Sequence, residues 1–183
     1  MNFEYLETAR LRLRKLTDVD YEQLLITASD ADIMQILGIS EQEVQKEKQK
    51  AERGFGMYNK AMVMFQIMQK QSNQVIGLCG FHIWYIQHNR AELGYMLNDD
   101  NHKQKGYMTE VLPHVLSYGF NQIDLHRIEA LVAPHNVPSL KLLNKHSFKQ
   151  EGLLKQHYFK NGVYEDSAIF ALLKDDYCKE INQ

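Results

Sequence analysis

The sequence predicts an α/β domain, a mixed sheet of about seven strands covered by about four helices. Three observations predict it. Apolar and polar residues alternate in "ARLRLRKL", and short runs rich in β-branched and aromatic residues follow at 61–69, 74–84 and 90–97. After residue 105 the period lengthens: Met108, Val111, Leu112, Val115, Leu116 and Gly119 form one helical stripe. Strand-like and helix-like segments then alternate to the C-terminal end, as a layered sheet with helices requires.

In chain order, Leu11, Leu13 and (after a change of phase) Leu16 stand against Arg10, Arg12 and Arg14, the pattern of a half-buried strand. Thr17 followed by Asp20 caps a helix reaching about Ser29. "SEQE", Ser40 to Glu43, is a capping box that opens a polar helix ending near Gly54. "ERGFGMYNK", residues 52–60, is short and aromatic, a loop within one domain rather than a linker. "KQSN" joins the runs 61–69 and 74–84 as a hairpin, and 90–97 completes an antiparallel meander. Its methionines are expected to fill the core.

Pro113 lies inside the next helix, where its ring crowds the carbonyl of Thr109. The helix is kinked there or begins there, and the continuous stripe favours a kink. A strand over 126–133, a helix over 136–146 and strands over 147–158 and 163–173, joined by "KNG", complete the order.

At 183 residues the chain suffices for one domain with a substantial core. Its 44% apolar and 24% charged residues are those of a soluble protein, and a net charge of −2 gives no overall attraction to nucleic acid or anionic membrane. Cys79 and Cys178 have neither metal-ligand nor redox spacing and read as idle thiols. The eight histidines are too scattered for a zinc motif, so no metal is expected. No apolar run is long enough for a membrane span or signal peptide, and a cytoplasmic protein is expected. Oligomeric state has no readable pattern; a homodimer stays open beside a monomer.

The stretch "NHKQKGYMTE", 101–110, gathers Lys103, Lys105 and Gly106 at the mouth of the third helix. A helix N-terminus offers unpaired N–H groups and a positive dipole end, and a preceding glycine lets backbone close around an anion. A pyrophosphate cradle accounts for these features together. Exposed lysines beside a loop glycine are the plainer reading, since neither GxxxxGK[ST] nor GxGxxG is present.

Three longer stretches carry a resemblance: "RAELGYMLNDDNHKQKGYMTEVL", "HRIEALVAPHNVPSLKLLNKHSFKQEGLL" and "NGVYEDSAIFALL". With the opening "LETARLRLRKLTDVD", they resemble the GNAT N-acetyltransferases over residues 6 to 174, in particular the branch that acetylates N-termini of ribosomal proteins. The resemblance implies a twisted, mostly antiparallel sheet whose fourth and fifth strands splay apart to admit acetyl-CoA as co-substrate. It implies a pyrophosphate loop at Lys103, Gln104, Lys105, Gly106, Tyr107 and Met108, running on to Thr109. Lys103 stands where the family has Gln or Arg, and Met108 where it has a small residue. Asn136 matches the asparagine that contacts the pantetheine arm, and Asn144 is a further candidate contact. Ser147 replaces a glycine before Phe148, and Leu143 stands where many relatives place a tyrosine that acts as general acid.

The implied reaction is attack of a primary amine, a peptide N-terminus, polyamine or other small amine, on the acetyl thioester. The amine must be neutral; an α-amine titrates near pH 8 and a lysine-like amine near 10.4. Glu92 is the candidate base, acting through water, because strand alternation points it away from Ala91 and Leu93. A solvent-facing carboxylate is the alternative. Backbone N–H groups from Tyr95, Met96 and Leu97 are candidates to hold the oxyanion. Ser139 is the candidate for orienting the acceptor or relaying a proton to sulfur, against a plain helix-start hydroxyl. Asp166 and His157 read as structural and surface residues, and Trp84 and Tyr85 as core aromatics rather than an acceptor entrance. Two rival functions stand beside catalysis: an acyl-CoA-binding module without turnover, and nucleic-acid association through the lysine-rich loop, which the acidic net charge disfavours.

Overall fold

The computed structural model describes residues 2–52 and 60–181. The expected loop at 52–60 therefore lies, but for its ends, outside the described residues. The elements are β1 (Tyr5–Glu7), β2 (Leu11–Thr17), α1 (Asp18–Thr27), α2 (Asp30–Leu37), α3 (Glu41–Glu52), β3 (Lys60–Gln69), β4 (Val75–Tyr85) and β5 (Arg90–Leu97). They continue with α4 (Tyr107–Ser117), β6 (Arg127–Val132), α5 (Val137–Lys145), β7 (Lys149–Lys160), β8 (Val163–Leu173) and α6 (Lys174–Ile181). The strands form one eight-stranded sheet in the order β1-β2-β3-β4-β5-β6-β8-β7. Every neighbouring pair is antiparallel except β5 and β6.

This is the expected class with additions at its margins. β1 is three residues long, too short to display a period. The helix expected to reach Ser29 stops at Thr27, and Ser29 instead caps α2 by accepting from the Asp32 N–H. Gly38, at φ 68°, closes α2 in the left-handed region. A final helix, α6, follows β8 directly. Pro113 neither starts nor interrupts α4, which runs from Tyr107 through it and widens into a π turn at Tyr118–Gln122. The Thr109 carbonyl forgoes one helical donor there.

Strand β2 explains how two cores arise. Its pairing with β3 is regular, so Leu11 and Leu13 point to one face and Leu16 to the other. The apparent change of phase in the sequence is thus a change of partner. On the first face Leu11, Leu13, Phe65, Phe81 and Leu93 pack against the α4 stripe of Val111, Leu112, Val115 and Leu116. On the second, Leu16 packs with Leu24, Leu25, Ile33, Leu37 and Val44 from α1–α3. Each such side chain removed from water contributes about 1.5–3 kcal/mol. Arg14 is buried beneath α2; its Nε donates to Gln66 Oε1 at 2.7 Å, and both side chains donate to the Ile36 carbonyl. The methionines of the meander divide: Met68 is core, whereas Met62 and Met64 line a cavity and Met96 is 55% exposed.

Two tight turns rely on left-handed backbone. Asn161 and Gly162 both have positive φ, the twist that a two-residue hairpin needs between β7 and β8. After α5, the Phe148 N–H bonds the Leu143 carbonyl and the Ser147 N–H the Asn144 carbonyl, a Schellman closure with Ser147 at φ 59°. A side chain in that region is strained by about 1 kcal/mol or more. Ser147→Gly is therefore expected to raise the unfolding free energy by about 1 kcal/mol in a denaturant titration. An unchanged or lowered midpoint would contradict the strain.

Candidate active site

Among the described residues one pair of neighbouring strands is parallel, and it stays together briefly. β5 and β6 pair at Arg90↔Arg127, Ala91↔Ile128 and Glu92↔Glu129 and nowhere beyond. From there β5 continues along β4 to Leu97↔Gly77, and β6 along β8 to Val132↔Ala168. The stretch Leu93–Leu97 thus keeps an edge turned toward a gap. This is the splay expected between the fourth and fifth strands, displaced by one in number because β1 precedes them. Ion pairs fasten the joined end. Arg90 Nη1 lies 2.6 Å from Glu129 Oε1, and Arg127 reaches Glu129 at 3.5 Å and Glu151 at 2.5 Å.

At the open end stands the N-terminus of α4. Gly106, at φ 75°, caps it without any side-chain hydrogen bond, and Gln104 before it is also left-handed at φ 59°. Helix geometry leaves the N–H groups of Tyr107, Met108 and Thr109 without intrahelical acceptors. The first helical bond is Glu110 N–H to the Gly106 carbonyl. Lys105 is exposed, and Lys103 is drawn to Asp100, its Nζ 2.5 Å from Oδ1. This helix start therefore offers mainly backbone donors, with less free side-chain charge than the spacing implies.

Arg10 bolts this turn to the sheet. Its backbone N–H donates to Glu110 Oε1 at 2.7 Å, its Nε to Oε2 at 2.6 Å and its Nη1 to the Lys105 carbonyl at 3.0 Å. The guanidinium also lies 4.7 Å from the Tyr107 ring centre. Thr8 Oγ1 donates to the same Glu110 oxygen at 2.6 Å. Burial pushes the Glu110 carboxyl up, but the bonds from Thr8 and Arg10 outweigh it and hold the group below its ordinary range. In the sequence pattern Arg10 marks only the polar side of a strand. Its partner is 100 residues away, beyond any local pattern.

Glu92 projects to the face opposite Ala91 and Leu93, which are buried. There it meets His82, whose Nε2 is 3.3 Å from Glu92 Oε1. His82 is the extra residue of a β-bulge between Phe81 and Ile83. A Cβ at Gly94 would sit 2.8 Å from His82 Nδ1, so a glycine there lets the imidazole lie across β5. Nothing in the local residue pattern marks this pair. On the same face opens a cavity of about 430 Å³, walled by Met62, Met64 and Leu78, with Asp18, Glu43 and His82 on its lining. The register Met64↔Gly80↔Gly94 places the cavity wall and Glu92 on one side of the sheet.

The remaining candidates sit around the gap or away from it. Asn136 caps α5, its Oδ1 accepting from the Ser139 N–H at 3.3 Å. Ser139 is half-buried beside Tyr95, a residue partly packed against the first core. Leu143 is fully buried and offers no donor. Asn144 is exposed near the far end of α5. Asp166 accepts from Lys155 Nζ at 2.9 Å and from the Gln156 N–H at 2.8 Å, where Gln156 has φ 49°. It braces an irregular stretch of β7. His157 Nδ1 is 3.1 Å from Ser167 Oγ, and Arg90 covers the Tyr85 ring at 3.9 Å. Trp84 packs on the core. Among the described residues no cluster of His, Cys, Asp or Glu could hold a metal, and no helix is long and apolar enough to cross a membrane.

Comparison with known proteins agrees with this geometry. Residues 10–149 match the acetyltransferase (GNAT) domain. The chain is 37% identical to an uncharacterized N-acetyltransferase, p20, of Bacillus licheniformis, over 95% of this chain and 98% of that one. It is 32% identical to a spermidine N(1)-acetyltransferase of Vibrio cholerae, over 66% of this chain and 72% of the relative. Among solved structures, RimL, a ribosomal L7/L12 α-N-protein acetyltransferase in complex with coenzyme A, superposes with TM-score 0.69 at 22% identity, covering 94% of this chain and 99% of RimL. That last likeness concerns the fold.

Glu110→Gln is expected to lower the unfolding free energy by about 1–2 kcal/mol near neutral pH. A carboxylate whose folded pKa is depressed stabilises above its unfolded pKa, and this is lost as pH falls through the folded one. The difference between wild type and variant should therefore shrink in acid. Denaturant titrations at several pH values check it.

Proposed function

Since the chain belongs to the GNAT acetyltransferase family, we propose that it moves the acetyl group of acetyl-CoA to a primary amine by direct attack on the thioester. The observation that carries this reading is the gap between β5 and β6 opening beside the uncapped start of α4. A pantetheine arm laid in the gap finds the open edge of Leu93–Leu97, and its diphosphate finds the N–H groups of Tyr107, Met108 and Thr109. The Asn136 side-chain amide, whose oxygen is taken by Ser139 N–H, keeps its own N–H donors for the arm.

The residues divide the chemistry by face. Glu92 takes the amine proton through water on the side of the cavity, with His82 holding its carboxylate. Backbone N–H groups of β5 stabilise the oxyanion. The acceptor enters through the cavity lined by Asp18 and Glu43, which suits a protonated amine with an apolar stem resting on Met62, Met64 and Leu78. Small amines and polyamines fit these walls, and a peptide N-terminus remains a candidate of the same chemistry. A cytoplasmic location goes with this reading.

Buried Leu143 favours one second reading, a module that binds acyl-CoA without turnover. A thiol-release assay with acetyl-CoA and a panel of polyamines, peptides and small amines separates the two. Release with at least one amine is expected; CoA binding by calorimetry with no release from any amine would leave only the binding module. Glu92→Gln is expected to lower kcat by about 100-fold or more with KM little changed, if proton transfer passes through it. A variant as fast as wild type would remove Glu92 from the mechanism.

A further inference from the structure

Tyr95 carries a polar group that the fold leaves unexplained. Its hydroxyl is buried and has no hydrogen-bond partner. Such a group is costly in a folded protein unless something else uses it. Trp84 Nε1 is in the same condition, but Trp84 pairs with Ala91 where β5 and β6 are still joined. Tyr95 lies beyond the last shared pair, and its phenol extends from β5 to Ser139 at the start of α5. Ser139 is near enough to ease its ionisation yet forms no hydrogen bond of ordinary geometry with it. Burial is the larger influence and pushes the phenol up, so the O–H stays intact through the neutral range.

The two faces of β5 give this donor a direction. Tyr95 shares its face with Cys79 and Phe65, the side of α4, while Glu92 and the cavity lie on the other. An amine arriving from the Glu92 side pushes the leaving group toward the Tyr95 side. We propose that the Tyr95 hydroxyl donates a hydrogen bond to the carrier sulfur as it leaves the acetyl group. This role rests on the acetyl-transfer reading above.

The step balances without further reactants. The amine nitrogen bonds the acyl carbon, the C–S bond breaks with its electron pair going to sulfur, and the amine proton passes through water to Glu92. A phenol is a weaker acid than a thiol, and burial weakens this one further, so it does not surrender its proton to the thiolate. Tyr95 therefore holds the thiolate by a charge-assisted hydrogen bond, and sulfur takes its proton from water on release.

The test is Tyr95→Phe, assayed with acetyl-CoA and an amine that the wild type accepts. The expected result is a fall in kcat of about 100-fold, with KM for both substrates and the CoA dissociation constant within about twofold. Tm should stay level or rise, because the variant removes only an unpaired buried hydroxyl. A fluorinated tyrosine at position 95, a stronger donor of nearly the same shape, should restore turnover and then lose it as pH rises through its own lowered pKa. Tyr95→Phe with kcat within twofold of wild type overturns the role while leaving acetyl transfer intact. Loss in Tyr95→Phe without recovery in the fluorinated protein overturns it as well. A wild-type chain that releases no thiol with any amine overturns both readings.

Discussion

The parting of β5 from β6 after Glu92 is the constraint around which the rest of the molecule is arranged. Strand backbone left without a neighbour costs free energy comparable to lost hydrogen bonds, so a sheet opens only where something forces it. The bulge at His82 lies at the level of this parting: an extra residue in β4 bends and twists the β4–β5 pair beside the last residues that β5 shares with β6. The arginine–glutamate contacts of Arg90, Arg127 and Glu129 hold the joined end closed. Clamp and bulge together make a wedge of fixed depth, with unpaired β5 backbone along one wall.

A wedge of backbone binds a long, polar carrier only if its far end is also held. Here Arg10 and Glu110 matter more than the lysines of the loop. Surface lysines are screened and mobile, and Lys103 already faces Asp100. The first turn of α4, by contrast, is tied to the β1–β2 turn through a carboxylate that accepts from Thr8 and Arg10. Rigid N–H groups presented to an anion need no reorganisation on binding, which is the advantage of backbone over flexible charge.

Alternation along single strands sorts side chains onto the two faces of the sheet. Leu11 and Leu13 face the α4 core and Leu16 the α1–α3 core. Glu92 and Tyr95 divide in the same way across β5, one toward the cavity and one toward α5. A strand of eight residues thus puts a carboxylate on the cavity side and a buried phenol on the α5 side.

Local pattern carried much of the fold, because strand alternation, helical stripes and caps depend on residues a few positions apart. Leu11 and Leu13, the α4 stripe, the Thr17–Asp20 box and the "KNG" turn were legible for that reason. So was Gly106 at the mouth of α4. Short β1 and the Ser29 cap of α2 escaped, since three residues hold no period and one cap was masked by its neighbour. The site was another matter. Arg10 on Glu110, His82 over Gly94 and Tyr95 beside Ser139 each join segments brought together only by the folded sheet. Sequence by itself determined which residues form strands and helices and that a glycine opens α4; tertiary structure alone decided which side chains meet, because contact across a sheet depends on register, bulges and crossovers that no neighbouring residues encode.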